Sequence, residues 1–237
     1  MNDAAAASFP TGSQCFDHLF GDGIPRGQIT LIYGEPNTGK TTLAMQCAVN
    51  SAIKGFKAIF IDSDNTFSIT RLSQLANVNI NSISPLIFIS KPYSFHEQSI
   101  LFETLCDYIS KDTGLVAVDT INSLYRVELE SMEKIFALNR ELNRQLAYLC
   151  EIARSHEIAV LIISQVRQVV QGKHHHGMIE PVASRLLKFW SQNIINLRNT
   201  SRHLVRKAQV EKSANPYWRN NYSYYTLDKN GITPLKE

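Results

Sequence analysis

The chain has 237 residues, 44% of them hydrophobic and 19% charged, with a formal net charge of +3, which describes an ordinary globular protein and excludes disorder, collagen and coiled coil. The longest apolar run, Ile158 to Ile163, falls far short of the roughly 20 residues a bilayer span needs, and the opening MNDAAAASFP lacks the basic and apolar regions of a signal peptide, so a cytoplasmic protein with no membrane partner is expected. Cys15, Cys47, Cys106 and Cys150 lie too far apart for a disulfide framework or a metal-ligand spacing and are expected to be buried thiols.

Six of the eleven glycines fall within the first 39 residues, and beyond them strand-like and helix-like segments alternate, which predicts a parallel α/β sheet in a single domain over 1–237. The expected order begins with a strand over 28–33, a helix over 40–52, a strand over 57–62 and a short helix near 68–76. A strand over 85–89 follows, then a helix over about 94–110 with Ile100, Leu101, Leu105 and Ile109 inward, and a strand over 115–119. Between 132 and 154, Met132, Ile135, Phe136, Leu142, Leu146, Leu149 and Ile152 recur near a 3.6 period, which predicts one long amphipathic helix. The unbroken apolar run over 158–164 fits a strand buried on both faces. The tail runs 194–197, 204–210 and 222–227 read as an antiparallel extension of the sheet. Aromatic residues in that tail (Tyr217, Trp218, Tyr222, Tyr224 and Tyr225) suit packing better than base stacking.

The decisive local signal is Gly34, Glu35, Pro36, Asn37, Thr38, Gly39, Lys40 and Thr41, followed by Thr42, between a predicted strand and a predicted helix. In this pattern a glycine-rich turn aims backbone N–H groups at phosphate oxygens, where the positive end of the helix favours anions. Lys40 then reaches the β and γ phosphates of ATP, and the Thr41 hydroxyl suits Mg2+. A carboxylate at the end of a neighbouring strand is needed on the other side of the metal, and Asp119 supplies it. A base or orienting group for water is sought in Asp62 or Asp64 after the 57–62 strand, and in Gln165 after the 158–164 strand, at the carboxyl ends where such sheets bind ligands.

Charge is unevenly placed. Residues 1–120 carry 7 Lys and Arg against 11 Asp and Glu, residues 121–237 carry 17 against 10, and the stretch 167–219 carries 10 against 2. A basic stripe is the footprint of a phosphate-backbone partner, and equally of a solvated face. His174, His175 and His176, adjacent on a glycine-flanked loop, fit a DNA-facing patch or a neutral flexible loop better than a metal site, whose ligands are normally spaced.

These motifs in this order resemble the RecA-like recombinase superfamily, most closely the archaeal RadB proteins. The likeness runs through Thr11-Gly12, Phe20 to Gly27, the P-loop, Phe60 to Phe67 with Arg71-Leu72, the strand ending at Asp119, Ser164-Gln165-Val166 and Val210 to Lys212. It implies a RecA-like P-loop NTPase core, with a mainly parallel twisted sheet flanked by helices and an antiparallel C-terminal extension. It also implies ATP and Mg2+ as cofactors, DNA as a partner, and a role in homologous recombination and repair beside the main recombinase or a junction nuclease, with self-association an option. By the same resemblance Asp64 stands where the family has a water-activating Glu, Gln165 where it has a γ-phosphate sensor, and Arg71 where a residue stacks on adenine. A first DNA-binding loop falls near 122–130 with Arg126, and a second over about 166–180 with Arg167, Lys173 and His174 to His176. Asp64 is one methylene shorter than Glu, so the resemblance implies weak ATP hydrolysis. Two other readings stay open: a nucleotide-gated mediator without turnover, and a KaiC-like signalling ATPase.

Overall fold

The computed structural model describes residues 8–129, 132–168 and 179–235. A small ribbon of β1 (Ser8–Phe9) and β2 (Ile24–Pro25), with α1 (Gln14–Asp17) between them, precedes β3 (Ile29–Gly34) and α2 (Lys40–Ile53). Then come β4 (Lys57–Asp62), α3 (Ile69–Ala76), α4 (Ile80–Ile83), β5 (Ile87–Ser90), α5 (Phe95–Thr104), β6 (Thr113–Asp119), α6 (Ser123–Val127) and α7 (Met132–His156). The second half continues with β7 (Ala159–Ser164), β8 (Val166–Gln168), β9 (Ile179–Pro181), α8 (Ser184–Trp190), β10 (Asn193–Asn199), β11 (Arg206–Lys212), β12 (Tyr222–Asp228) and β13 (Gly231–Pro234).

Nine strands form one sheet in the order β13-β12-β11-β10-β3-β7-β6-β4-β5. The six from β10 to β5 are parallel, and β10 through β13 pair antiparallel. The tail is therefore not antiparallel throughout. Its first strand is reached through the crossover helix α8, which returns the chain to the same edge of the sheet and adds β10 parallel to β3. Both faces of the sheet are covered: Leu161 and Ile163 of β7 pack with Leu43 and Cys47 of α2, while Val160 and Ile162 pack with Leu142 and Leu146 of α7. That is why β7 reads as a continuous apolar run. Parallel strands bring their carboxyl ends to one edge, so Gly34, Asp62, Asp119 and Ser164 all finish there.

Four further expectations are corrected. The helix expected over 94–110 ends at Thr104 and tightens into a 3-10 turn over Leu105–Tyr108, and Ile100 is 47% exposed. Leu105 is buried and Leu101 and Ile109 pack against the core as expected, but the inward face of the helix also takes in Phe95, Gln98, Ser99 and Phe102, whose two polar side chains are fully satisfied. Gln98 accepts from Ser63 Oγ at 2.8 Å and donates to Ile121 O and to Gln145 Oε1, and Ser99 Oγ donates to Phe95 O. A pattern that counts only apolar residues misses inward polar positions such as these. In α7, Phe136 is 84% exposed, since it lies about 200° around the helix from Leu138, which begins the buried stripe. Cys106 is exposed, whereas Cys15, Cys47 and Cys150 are buried. Pro85, expected in the third strand, sits in a 3-10 turn over Ser84–Leu86, where its missing N–H and fixed φ are tolerated, and β5 starts two residues later.

Candidate nucleotide site

The loop between β3 and α2 is shaped by two glycines that no other residue replaces. Gly39, at the start of α2, has φ +92°, and a Cβ on Gly34 would stand 2.0 Å from the carbonyl oxygen of Leu197. That close approach lets Glu35 N donate to Leu197 O at 3.1 Å, tying the loop to β10. β10 and the antiparallel strands beyond it hold the loop further. Asn199 donates from its backbone and its side chain to Glu35 Oε2, at 2.9 and 2.7 Å. Arg206 Nε donates to Asn37 O, and Tyr225 OH to Thr38 O at 2.7 Å. Pro36 and Asn37 form the exposed crest, Thr38 is buried, and Thr41 and Thr42 lie half-buried in the first turn of α2. Tyr225→Phe keeps the ring against Phe16 and loses only the donor. It is expected to cost about 1 kcal/mol, seen in thermal melts as a drop of about 2–4 °C.

Lys40 folds back over its own loop, donating from Nζ to Gly34 O at 2.9 Å and to Glu35 O at 2.8 Å. Burial pushes its ammonium below the ordinary lysine range, and the nearby Asp119 and Glu35 charges pull it back up. Asp119 is 1% exposed, and among the described residues neither carboxylate oxygen has a hydrogen-bond partner. Burial raises its pKa to about 7; the Thr41 hydroxyl and Lys40 oppose the rise, and the Asp64 and Asp62 charges add to it. Two orphaned carboxylate oxygens next to a hydroxyl are a donor set that fits a hard, oxygen-seeking cation such as Mg2+.

Asp62 and Asp64 part company. Asp62 accepts from the backbone N–H groups of Thr66 and Phe67 at 2.9 and 3.0 Å and pairs with Lys91 at 3.3 Å, so it shapes the turn. Asp64 faces the strand ends: the Gln165 amide donates from Nε2 to both of its oxygens at 3.1 Å, and Thr120 Oγ1 donates to Oδ2 at 3.2 Å. Two residues 101 positions apart thus meet. Gln165 Oε1 in turn accepts from Arg126 at the end of α6. Arg71 lies across the loop in α3, donating to the Asp228 and Lys229 carbonyls in the β12–β13 turn at 2.9 and 2.8 Å. Arg167 lies on β8, opposite Glu180 on β9, so the ends of the expected second DNA loop form an antiparallel ribbon. Lys173, His174, His175 and His176 lie outside the described residues.

Several residues that build the site carry no local signal. Tyr225, Asn199 and Arg206 anchor the P-loop from more than 160 positions away. Asn122 fixes Gln165 by accepting from its backbone N–H, and itself donates to Ser164 Oγ and Val182 O.

A strand, a P-loop and a helix, with an acid ending a parallel strand two places away across the sheet, define a P-loop core of the RecA type. Residues 4–234 match the model of the Rad51 family, and the chain belongs to that family. It is 34% identical over 205 residues to the DNA repair and recombination protein RadB of Methanosphaera stadtmanae, covering 86% of each chain. The protein of the same description from Methanococcus maripaludis strain C7 is 34% identical over 197 residues, 83% of this chain and 87% of that one. A crystal structure of the RadB recombinase superposes with a TM-score of 0.80 at 30% identity, over 96% of this chain and 100% of that one.

Proposed function

We propose that this chain works in DNA recombination and repair as a recombinase paralogue that binds ATP with Mg2+, binds DNA and hydrolyses ATP slowly. The observation that carries the reading is the convergence of Lys40, Asp119, Asp64 and Gln165, from four separate elements, on one end of the parallel sheet. In this reading Gly34 to Thr42 cradle the phosphates, Lys40 neutralises the β and γ groups, Thr41 and Asp119 hold the metal, and Arg71 lies against the adenine. Asp64 accepts the proton of the attacking water, and Gln165 senses the γ-phosphate. DNA meets Arg126, Arg167 and the basic loop after β8, and the protein acts in the cytoplasm beside the main recombinase or a junction nuclease, with self-association part of the same reading. Among the described residues no helix is long and apolar enough to cross a membrane.

A second reading, a nucleotide-gated mediator without turnover, draws on one feature. Both oxygens of Asp64 are covered by the Gln165 amide, and the side chain is already a methylene shorter than Glu. A misplacement of about 1 Å costs up to about 100-fold in rate. ATP turnover measured with and without single-stranded DNA, at two salt concentrations, separates the readings: hydrolysis that DNA raises and salt suppresses supports the first, and tight ATP binding with no turnover the second.

Within the first reading, Asp64→Glu restores the reach to the water and is expected to raise turnover about 10-fold, while Asp64→Asn, which cannot accept the proton, lowers it at least about 10-fold. A phosphate-release assay checks both; an Asp64→Asn protein as fast as the parent removes Asp64 from the base position.

A further inference from the structure

The loop from Gly34 to Thr42 contains one carboxylate, that of Glu35, and an anion that belongs to the loop competes with any anion the loop is to bind. The Glu35 backbone is fixed on both sides. Its N–H donates to Leu197 O at 3.1 Å, and its carbonyl accepts from Lys40 Nζ at 2.8 Å. Only the side chain is free to turn. Two attractions act on it: the Lys40 ammonium, whose charge the Glu35 carboxylate already favours, and the positive end of α2, which begins at Lys40. The carboxylate instead faces Asn199. Its Oε2 accepts from the Asn199 backbone N–H at 2.9 Å and from Asn199 Nδ2 at 2.7 Å, and among the described residues Glu35 forms no ion pair. Arg206, directly opposite Asn199 on β11, commits Nε to Asn37 O and Nη1 to Leu204 O. The loop's own anion is therefore held outward by neutral donors alone.

We infer that Asn199 is a positioning residue that holds the Glu35 carboxylate out of the phosphate cradle, so that Lys40 and the first turn of α2 stay open to the nucleotide. A carboxylate turned inward pairs with Lys40 and takes the place of a phosphate group. The apparent dissociation constant for ATP then rises as the fraction of open loops falls, by about 10-fold when one loop in ten is open. The hold depends on the amide. An aspartate at this position sets oxygen against oxygen and drives the Glu35 side chain toward Lys40. The inference rests on the ATP binding proposed above, and on neither hydrolysis nor DNA.

The test is calorimetric titration of parent and variants with ATP and Mg2+, with circular dichroism to check the fold. Asn199→Asp is expected to bind ATP about 10-fold more weakly, and Asn199→Ala, which keeps the backbone donor and loses the other, about threefold more weakly. Glu35→Ala binds at least as tightly as the parent, and adding it to either Asn199 variant restores the affinity, because the competing anion is gone. Ser201→Asp, an exposed site two residues on, adds the same charge without facing Glu35 and changes the affinity by less than about twofold. A pair that merely braced the loop would behave differently: Glu35→Ala would lose as much as Asn199→Asp, and the double variants would not recover. That result overturns the inference. So do Asn199 variants as tight as the parent, or a Ser201→Asp protein as weak as Asn199→Asp, and each of these leaves the proposed function standing. A parent that binds no ATP overturns the proposed function, and the inference with it.

Discussion

Lys40→Ala is expected to weaken ATP binding by about 10- to 150-fold, the equivalent of a lost charge-assisted contact worth about 1.5–3 kcal/mol. In the structure the Lys40 ammonium is half-buried and bonded only to the Gly34 and Glu35 carbonyls of its own loop, within the influence of Asp119. It is thus a cation kept in place by neutral acceptors, ready to exchange them for phosphate oxygens that carry full charge. The substitution leaves the Gly34 to Leu197 approach and the Tyr225 anchor untouched, so the fold is expected to persist. Calorimetric titration with ATP, alongside circular dichroism, checks both parts. Unchanged affinity in a folded variant would remove Lys40 from the phosphate site.

Asp119→Asn is expected to act in two opposite directions: it stabilises the nucleotide-free protein and abolishes the dependence of ATP affinity on Mg2+. An acid at 1% exposure with both oxygens unpartnered charges only at a cost, which burial expresses as a pKa raised from 3.8 to about 7. An amide of the same shape carries no such cost. The gain is expected at about 1–3 kcal/mol, or about 2–4 °C of melting temperature per kcal/mol for a chain of this length. The sign with pH follows from linkage. A raised pKa in the folded state favours the protonated form there, so the stabilisation from Asp119 is fully present below about pH 4, the unfolded value, and is lost as the pH climbs through about 7. The advantage of the variant over the parent should therefore be largest at pH 8 and shrink steadily toward pH 5. Differential scanning fluorimetry across that range, with and without Mg2+, reads it. A constant difference across pH would mean that Asp119 does not titrate where its burial requires. Mg2+ should raise the melting temperature of the parent in the presence of ATP and leave that of the variant unmoved.

The chain itself determined the parts of this protein that depend on local order. The P-loop was legible because its chemistry is set by consecutive residues: a glycine in the left-handed region opens a helix, a lysine follows, and the apolar strand before them fixes their place. The acid at the end of β6 was legible for the same reason, as was the run from Ala159 to Ser164, whose unbroken burial follows from helices on both faces. Where polar residues take inward positions, the pattern misled. Gln98 and Ser99 point into the core because Ser63, Gln145 and backbone carbonyls satisfy them, and no window of sequence contains those partners. Chain position left Asp62 and Asp64 open and the family resemblance pointed to Asp64; the tertiary structure supplies the physical reason, because the Thr66 and Phe67 amides and Lys91 claim the Asp62 carboxylate. It alone brought Gln165 to Asp64 across 101 residues and set Arg126 behind it. It alone showed that strands from the far end of the chain hold the P-loop in shape. Contacts of that range depend on sheet order, and sheet order is fixed by which hydrophobic faces meet, not by the residues that end up touching.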